Sequence, residues 1–231
     1  MEEAPIIGIV CGLESERRAL GLSADDGTGV GVSVAVSGAR PAVAEAAARQ
    51  MVDRGARVLA SWGLAGGLDM RHATGDVVLP REVVGEGGGR WPMAEPPVNA
   101  PVPGARPPRL VGLEGVVFGP AEKKSLAVAA GASVADMESH RVATVGAEMG
   151  VPVIVVRAVS DNAGRALPQL AADAVGADGR PRIGKVLLGL LRRPTDLPAL
   201  LRAGRDSAAA HAALSATAPA FLAALRAMAA R

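Results

Sequence analysis

Val151-Pro-Val-Ile-Val-Val-Arg-Ala-Val-Ser-Asp161 carries the strongest strand signal in the chain, an apolar run over Val151–Val156 that turns polar at Arg157 and ends on Asp161. A continuous apolar run this rich in β-branched residues marks a strand covered on both faces, as in a parallel α/β sheet. The segment before it, His140–Met149, is helix-forming and stops at Gly150. Further upstream, Val134-Ala-Asp-Met-Glu-Ser-His140 follows a short strand over Ser133–Asp136 with a carboxylate, Glu138. Open α/β sheets place ligands at the carboxyl ends of their strands, so Glu138 and Asp161 are candidates for one site.

The same alternation begins the chain. Pro5–Gly12 reads as a strand and Leu13–Leu20 as the helix after it, with Glu14 and Glu16 in its first turns. Gly31–Val36 is a strand ending at Ser37-Gly38, and Pro41–Arg54 is an Ala-rich helix with Pro41 in its first turn. Arg57–Ser61 is a strand whose exit is Gly63-Leu-Ala-Gly-Gly67, and Gly75–Pro80 brings another β-branched run to a turn. Residues 85–109 hold a glycine triplet and seven prolines, which exclude helix interior and central strand and predict an irregular Pro/Gly-rich loop, or a stiff lid. The apolar run Leu113–Phe118 precedes a helix over Pro120–Ala130. Gly164–Pro181 is loop-rich, and the C-terminal part, 182–231, is helical with interruptions at Pro194, Pro198 and Pro219. No period repeats, so residues 1–231 are expected to form one α/β domain.

Composition narrows the function. Basic residues number 25 and acidic ones 23, a net charge of +2, and no basic stripe is interleaved with aromatics; nucleic acid is not an expected partner. Cys11 is the only cysteine, which excludes an intrachain disulfide and a thiolate metal cluster, and its apolar surroundings make it a buried filler. The three histidines, His72, His140 and His211, are scattered, so no metal site is expected. Neither a GxGxxG nor a GxxxxGK[ST] loop is present, and no organic cofactor is expected. The N-terminus lacks a basic leader and no uncharged apolar stretch approaches about 18 residues, which predicts a cytoplasmic protein. Val186–Leu191 followed by Arg192 and Arg193 adds a candidate for peripheral contact at the inner membrane surface.

Glu16, Glu138 and Asp161 come from three separate elements, and three such carboxylates suit glycosidic chemistry on a nucleoside better than a binding surface. A carboxylate at 138 can accept hydrogen bonds from both ribose hydroxyls. Glu14 or Glu16 can polarise a water, provided it comes within about 3 Å of the proton it takes. Asp161 can protonate a leaving base, and capping of the next helix is its structural alternative. Arg157 suits either a buried carboxylate partner or an anion site.

Taken together, Ile7–Glu16 (IGIVCGLESE), Ser37-Gly38, Gly63–Leu68 (GLAGGL), Gly75–Pro80 (GDVVLP), Asp136–Ser139 (DMES) and Arg157–Asp161 (RAVSD) resemble the nucleoside phosphorylase and nucleosidase superfamily. Among its groups, the similarity is greatest to the methylthioadenosine/S-adenosylhomocysteine nucleosidases and the hopanoid-associated phosphorylases. The resemblance implies a three-layer α/β/α sandwich around a mixed, twisted sheet, assembled as a homo-oligomer. It implies Glu16 as the water-activating acid, Met137 and Glu138 as the ribose pair, and Asp161 as the acid at N7 of a purine, its carboxyl kept protonated by a dry pocket or a neighbouring acid. Ser37, Gly38, Leu64, Ala65 and Gly66 correspond to the pocket wall. Leu64 stands where such nucleosidases often carry Ser, and Phe118 is the nearest counterpart of an adenine-stacking aromatic.

Phe118–Lys123, Asp136–His140 and Asp161–Pro168 are similar to the hopanoid-associated members. That implies adenine release from a nucleoside with a large apolar 5′ group, such as adenosylhopane. Inorganic phosphate as co-substrate and water as nucleophile both stay open, with Arg17, Arg18, Arg40 and Arg157 as anion donors. A small-substrate methylthioadenosine/S-adenosylhomocysteine nucleosidase, a non-catalytic nucleoside-binding protein and a membrane-associated scaffold are the other readings.

Overall fold

The computed structural model describes residues 6–22, 31–95, 108–168, 170, 176, 179–180 and 182–230. Among these described residues, nine strands form one mixed sheet: β1 (Ile6–Cys11), β2 (Gly31–Val36), β3 (Ala56–Gly67), β4 (Val77–Val78), β5 (Glu82–Gly85), β6 (Arg90–Pro92), β7 (Arg109–Gly112), β8 (Val134–Asp136) and β9 (Val153–Asp161). The main path runs β2-β1-β3-β8-β7-β5-β6, with β9 paired to β3 and β4 to β9. Pairs β1–β2, β1–β3, β3–β9, β5–β7 and β7–β8 are parallel; β3–β8, β4–β9 and β5–β6 are antiparallel.

Side chains alternate across this sheet and divide the core. Ile7, Ile9, Cys11, Val58, Ala60, Trp62, Ile154 and Val156 face α1 (Glu14–Ala19) and the long C-terminal helix α6 (Leu197–Ala229). Val10, Leu59, Val153 and Val155 face α2 (Pro41–Asp53) and α4 (Ser139–Met149). The result is the three-layer α/β/α sandwich. A third cluster, Leu68, Val111, Leu113, Ala132 and Ala135, packs beneath α3 (Pro120–Ala130). With only two Trp and two Phe in the chain, the core has one aromatic stack, Trp62 on Phe221 with centroids 4.8 Å apart. Burial pushes the Cys11 thiol well up, as befits a filler.

Four expectations need correction. Gly63–Gly67 is not an exit loop; it continues β3, because its backbone is paired with β9 and then with β8. Within 85–109, Arg90–Pro92 forms an edge strand on β5, the position at which a sheet tolerates proline; the part of the expected lid at 96–107 lies outside the described residues. The 182–231 region forms α5 (Ile183–Arg192), a 3-10 turn at Pro194–Asp196 and α6, which neither Pro198 nor Pro219 interrupts. Pro198 lies in the first turn, where its missing N–H costs nothing, and around Pro219 the buried Ala218, Phe221 and Leu222 hold the helix against the sheet. Finally, α6 has the length and apolarity of a membrane span, and part of that apolarity covers the sheet through Ala210, Leu214, Phe221 and Leu225.

Candidate active site

β3 is bonded to β9 along most of its length, then passes to β8 at Gly66 and Gly67. Gly66 pairs with Asp161 on one side and Ala135 on the other, so the sheet forks there. The fork opens a cleft of about 260 Å³. Into it the ends of β1, β8 and β9 deliver Glu16, Glu138 and Asp161, on the side of the sheet that parallel strands reserve for ligands.

Glu16 is turned inward by the start of α1. Its Oε2 accepts from the Leu13 backbone N–H at 2.8 Å, and its Oε1 from the Leu64 N–H, also at 2.8 Å. Trp62 Nε1 donates to its carbonyl at 3.1 Å. The carboxyl therefore bridges α1 and β3, and only a glycine at 63 allows it: a Cβ there would lie 2.6 Å from the Glu16 carboxyl carbon. Burial raises its proton affinity against the opposing Arg157 charge and the two amides. A carboxylate raised in this way is suited to take a proton from water near neutrality.

Glu138 sits at the N-cap of α4 and is buried. A Cβ on Gly12 would lie 2.8 Å from its Oε1 and 3.3 Å from Glu16 Oε2, so the two acids share one end of the cleft. Behind them lies a buried polar network. Arg157 Nε donates to Asp136 Oδ2 at 2.7 Å, and its NH2 donates to Ser61 Oγ at 2.6 Å and Ser139 Oγ at 3.0 Å. The Ser139 N–H and hydroxyl donate to the same Asp136 carboxylate. Glu138 Oε2 is 3.8 Å from Arg157, a weaker contact than that of Asp136. Burial first, and Asp136 second, push Glu138 up to about 8, with Arg157 opposing.

The sign of this shift sets a pH dependence. Folded Glu138 keeps its proton up to about pH 8, whereas in the unfolded chain it releases it near 4.5. Stability contributed below the lower value is lost as pH rises to the upper one. The melting temperature of the ligand-free protein should fall across that window, and Glu138→Gln should flatten the fall. An equally steep profile in the variant would remove Glu138 as its origin.

At the other end of the cleft, Asp161 Oδ1 accepts from Ser160 Oγ at 2.9 Å and Oδ2 from Lys123 Nζ. The resemblance implies a dry pocket or a second acid beside Asp161. Instead its partner is an ammonium, 2% exposed, which also donates to the carbonyls of Asn162 at 3.0 Å and Arg165 at 3.1 Å.

Of the remaining expected residues, Met137, Leu64, Ala65 and Gly66 line the cleft. Ser37 and Gly38 do not line it; they belong to a strap behind it, fastened by Ser37 N–H to the Cys11 carbonyl (2.8 Å) and Ala39 N–H to the Gly12 carbonyl (3.1 Å). Ala39, with φ 54°, does reach the wall, and it is the only non-glycine residue in the left-handed region among those described. Phe118 is also off the cleft. Its backbone pairs with Glu122 and Leu167, while Val116, Val117 and Leu167 form the wall near it. Arg40 is exposed and donates to the Ser37 carbonyl at 3.3 Å, and Arg157 is fully committed to its network; neither guanidinium lines the cleft. Asp136, Ser139 and Lys123 went unrecognised as site residues. In the sequence, Lys123 is marked by its place at the end of the Phe118–Lys123 stretch and by the rarity of lysine in the chain, neither of which gives it a role.

Residues 107–192 match the family model of the Phosphorylase superfamily. A search of curated proteins finds no match to the chain. Among solved structures, futalosine hydrolase of Helicobacter pylori superposes with a TM-score of 0.61 at 17% identity, covering 82% of this chain and 99% of that one. The 5′-methylthioadenosine/S-adenosylhomocysteine nucleosidase of Helicobacter pylori, bound to butyl-thio-DADMe-Immucillin-A, gives 0.58 at 17% identity, covering 71% and 88%. S-adenosylhomocysteine nucleosidase of Streptococcus pyogenes, in complex with 5-methylthiotubericidin, gives 0.58 at 19% identity, covering 71% and 86%. Residues 107–192 thus resemble the phosphorylase superfamily in sequence, and the fold of the chain is similar to that of these nucleosidase and hydrolase structures.

Proposed function

We propose that the protein hydrolyses the N-ribosidic bond of a 5′-substituted adenosine and releases the base. One observation carries this reading: a single cleft has two buried carboxyl groups, Glu16 and Glu138, at one end and Asp161 at the other. Gly63, which abuts Glu16, and Gly66, which abuts Asp161, stand three residues apart on β3, roughly 10 Å at strand spacing. A ribonucleoside spans such an interval, its hydroxyls on Glu138 and its base on Asp161. As the bond breaks, positive charge grows on the sugar beside the two acids, and negative charge on the base is quenched by a proton from Asp161.

Water is the nucleophile in this reading. Glu16 has spare lone pairs beyond its two amide anchors, whereas a phosphate dianion would meet the buried Glu16 with no guanidinium among the described residues of the cleft wall to offset it. For the 5′ group, the apolar wall of Leu13, Val116, Val117 and Leu167 supports a large hydrocarbon, with adenosylhopane as the candidate. The exposed Leu188, Leu191, Leu197 and Leu201, set among Arg192, Arg193 and Arg202, fit collection of such a substrate at the inner membrane surface.

The test is a product assay with and without phosphate, run on adenosines with short and polycyclic 5′ groups. Free ribose derivative and adenine, formed at a rate independent of phosphate, are expected. A phosphate-dependent sugar 1-phosphate would overturn the choice of water. Brisk release from methylthioadenosine beside negligible release from adenosylhopane would overturn the hydrocarbon and leave a small-substrate nucleosidase. Adenosine binding with no release at any phosphate level would leave a binding protein.

A further inference from the structure

We infer that Lys123 supplies the proton which Asp161 passes to the departing base, an inference that rests on the glycosidase reading above. Lys123 and Lys124 follow each other on α3, yet Lys124 is exposed while the Lys123 side chain is 2% exposed. An ammonium is taken out of water at high cost unless its protons are matched, and here three acceptors match its three protons: the Asp161 carboxylate and the carbonyls of Asn162 and Arg165. A staple for the 162–165 turn needs no place on the cleft. Lys123 has one, and among the described residues it is the only cationic side chain lining that wall.

The contact with Asp161 gives it a chemical use. As ammonium and carboxylate, the pair holds one transferable proton. When the C1′–N bond breaks, its electrons stay with the base. The Lys123 ammonium gives a proton to Oδ2 of Asp161, the acid so formed protonates a ring nitrogen, and Lys123 is left neutral until water reprotonates it. Ser160, on Oδ1, keeps the carboxyl in place throughout. Lys123 thus acts through Asp161, as a positioning and proton-supplying residue.

Leaving-group dependence separates this role from a structural one. Lys123→Arg keeps the cation, but a guanidinium does not surrender its proton. Adenine release should fall about 100-fold with KM within about threefold. Release of p-nitrophenolate from the riboside with the same 5′ group, which needs no proton, should change by less than about threefold. Because Arg is larger, the double variant Lys123→Met with Asp161→Asn, which removes both charges, is the second arm; it should cleave the nitrophenyl riboside and not the nucleoside. Equal losses on both leaving groups, an unimpaired Lys123→Arg enzyme, or a double variant inert toward both would overturn this inference alone. A wild-type protein inert toward both would overturn the glycosidase reading and this inference with it.

Discussion

Glu16→Gln is expected to lower base release by a factor of about 100 to 10,000, the range general acid–base groups contribute, while nucleoside binding measured by calorimetry stays within about threefold. The loss has two sources. A glutamine has no basic oxygen to take the proton of an attacking water. It also presents one oxygen where Glu16 uses two, so its NH2 must confront the N–H of either Leu13 or Leu64. Glu16→Asp keeps the charge but shortens the reach across the Gly63 gap, and should recover only part of the rate. Because burial raises the proton affinity of Glu16, the rate of the native protein should climb with pH through an ionisation above the ordinary carboxylate range. A Glu16→Gln protein with native turnover would place the general base elsewhere.

Asp161→Asn should lower kcat by a similar factor of about 100 to 10,000 and leave KM nearly unchanged, because the base is protonated only as it leaves. Asparagine fills the same volume and still accepts a hydrogen bond from Lys123, but it has no acidic proton to give. A second effect accompanies the first. The buried Lys123 ammonium loses its only anionic contact among the described residues while keeping two carbonyls, which should cost about 1–3 kcal/mol of stability, read by denaturant titration. Finding the stability loss without the kinetic one would reduce Asp161 to a structural partner of Lys123.

Much of this arrangement was legible in the sequence. The runs Ile6–Cys11 and Val153–Val156 announce buried strands, and the carboxylates just after β1, β8 and β9 stand where strand ends deliver ligands. What escaped reading depends on contacts distant in sequence. Gly63–Gly67 looks like a turn because glycine weakens a strand, yet the missing side chain at Gly63 is what admits the Glu16 carboxyl. Lys123 and Lys124 are indistinguishable as letters, and only the phase of α3 turns one of them inward. Arg157 is equally apt for an anion or a carboxylate until Asp136, a distance of 21 positions away, is seen to hold it. Pro219 signals a break that packing against the sheet overrides.

The forked course of β3 has a consequence for how this scaffold diversifies. The floor under the reacting bond is knitted into β9 on one flank and β8 on the other, so resizing it would unravel two ladders. The wall at Val116, Val117 and Leu167 lies outside the strands and helices and is held more lightly, with Leu167 N–H bonded to the Phe118 carbonyl. Chemistry and clientele are thereby uncoupled: lineages built on this plan can rewrite the wall to admit a different cargo while the acids beneath it stay where they are.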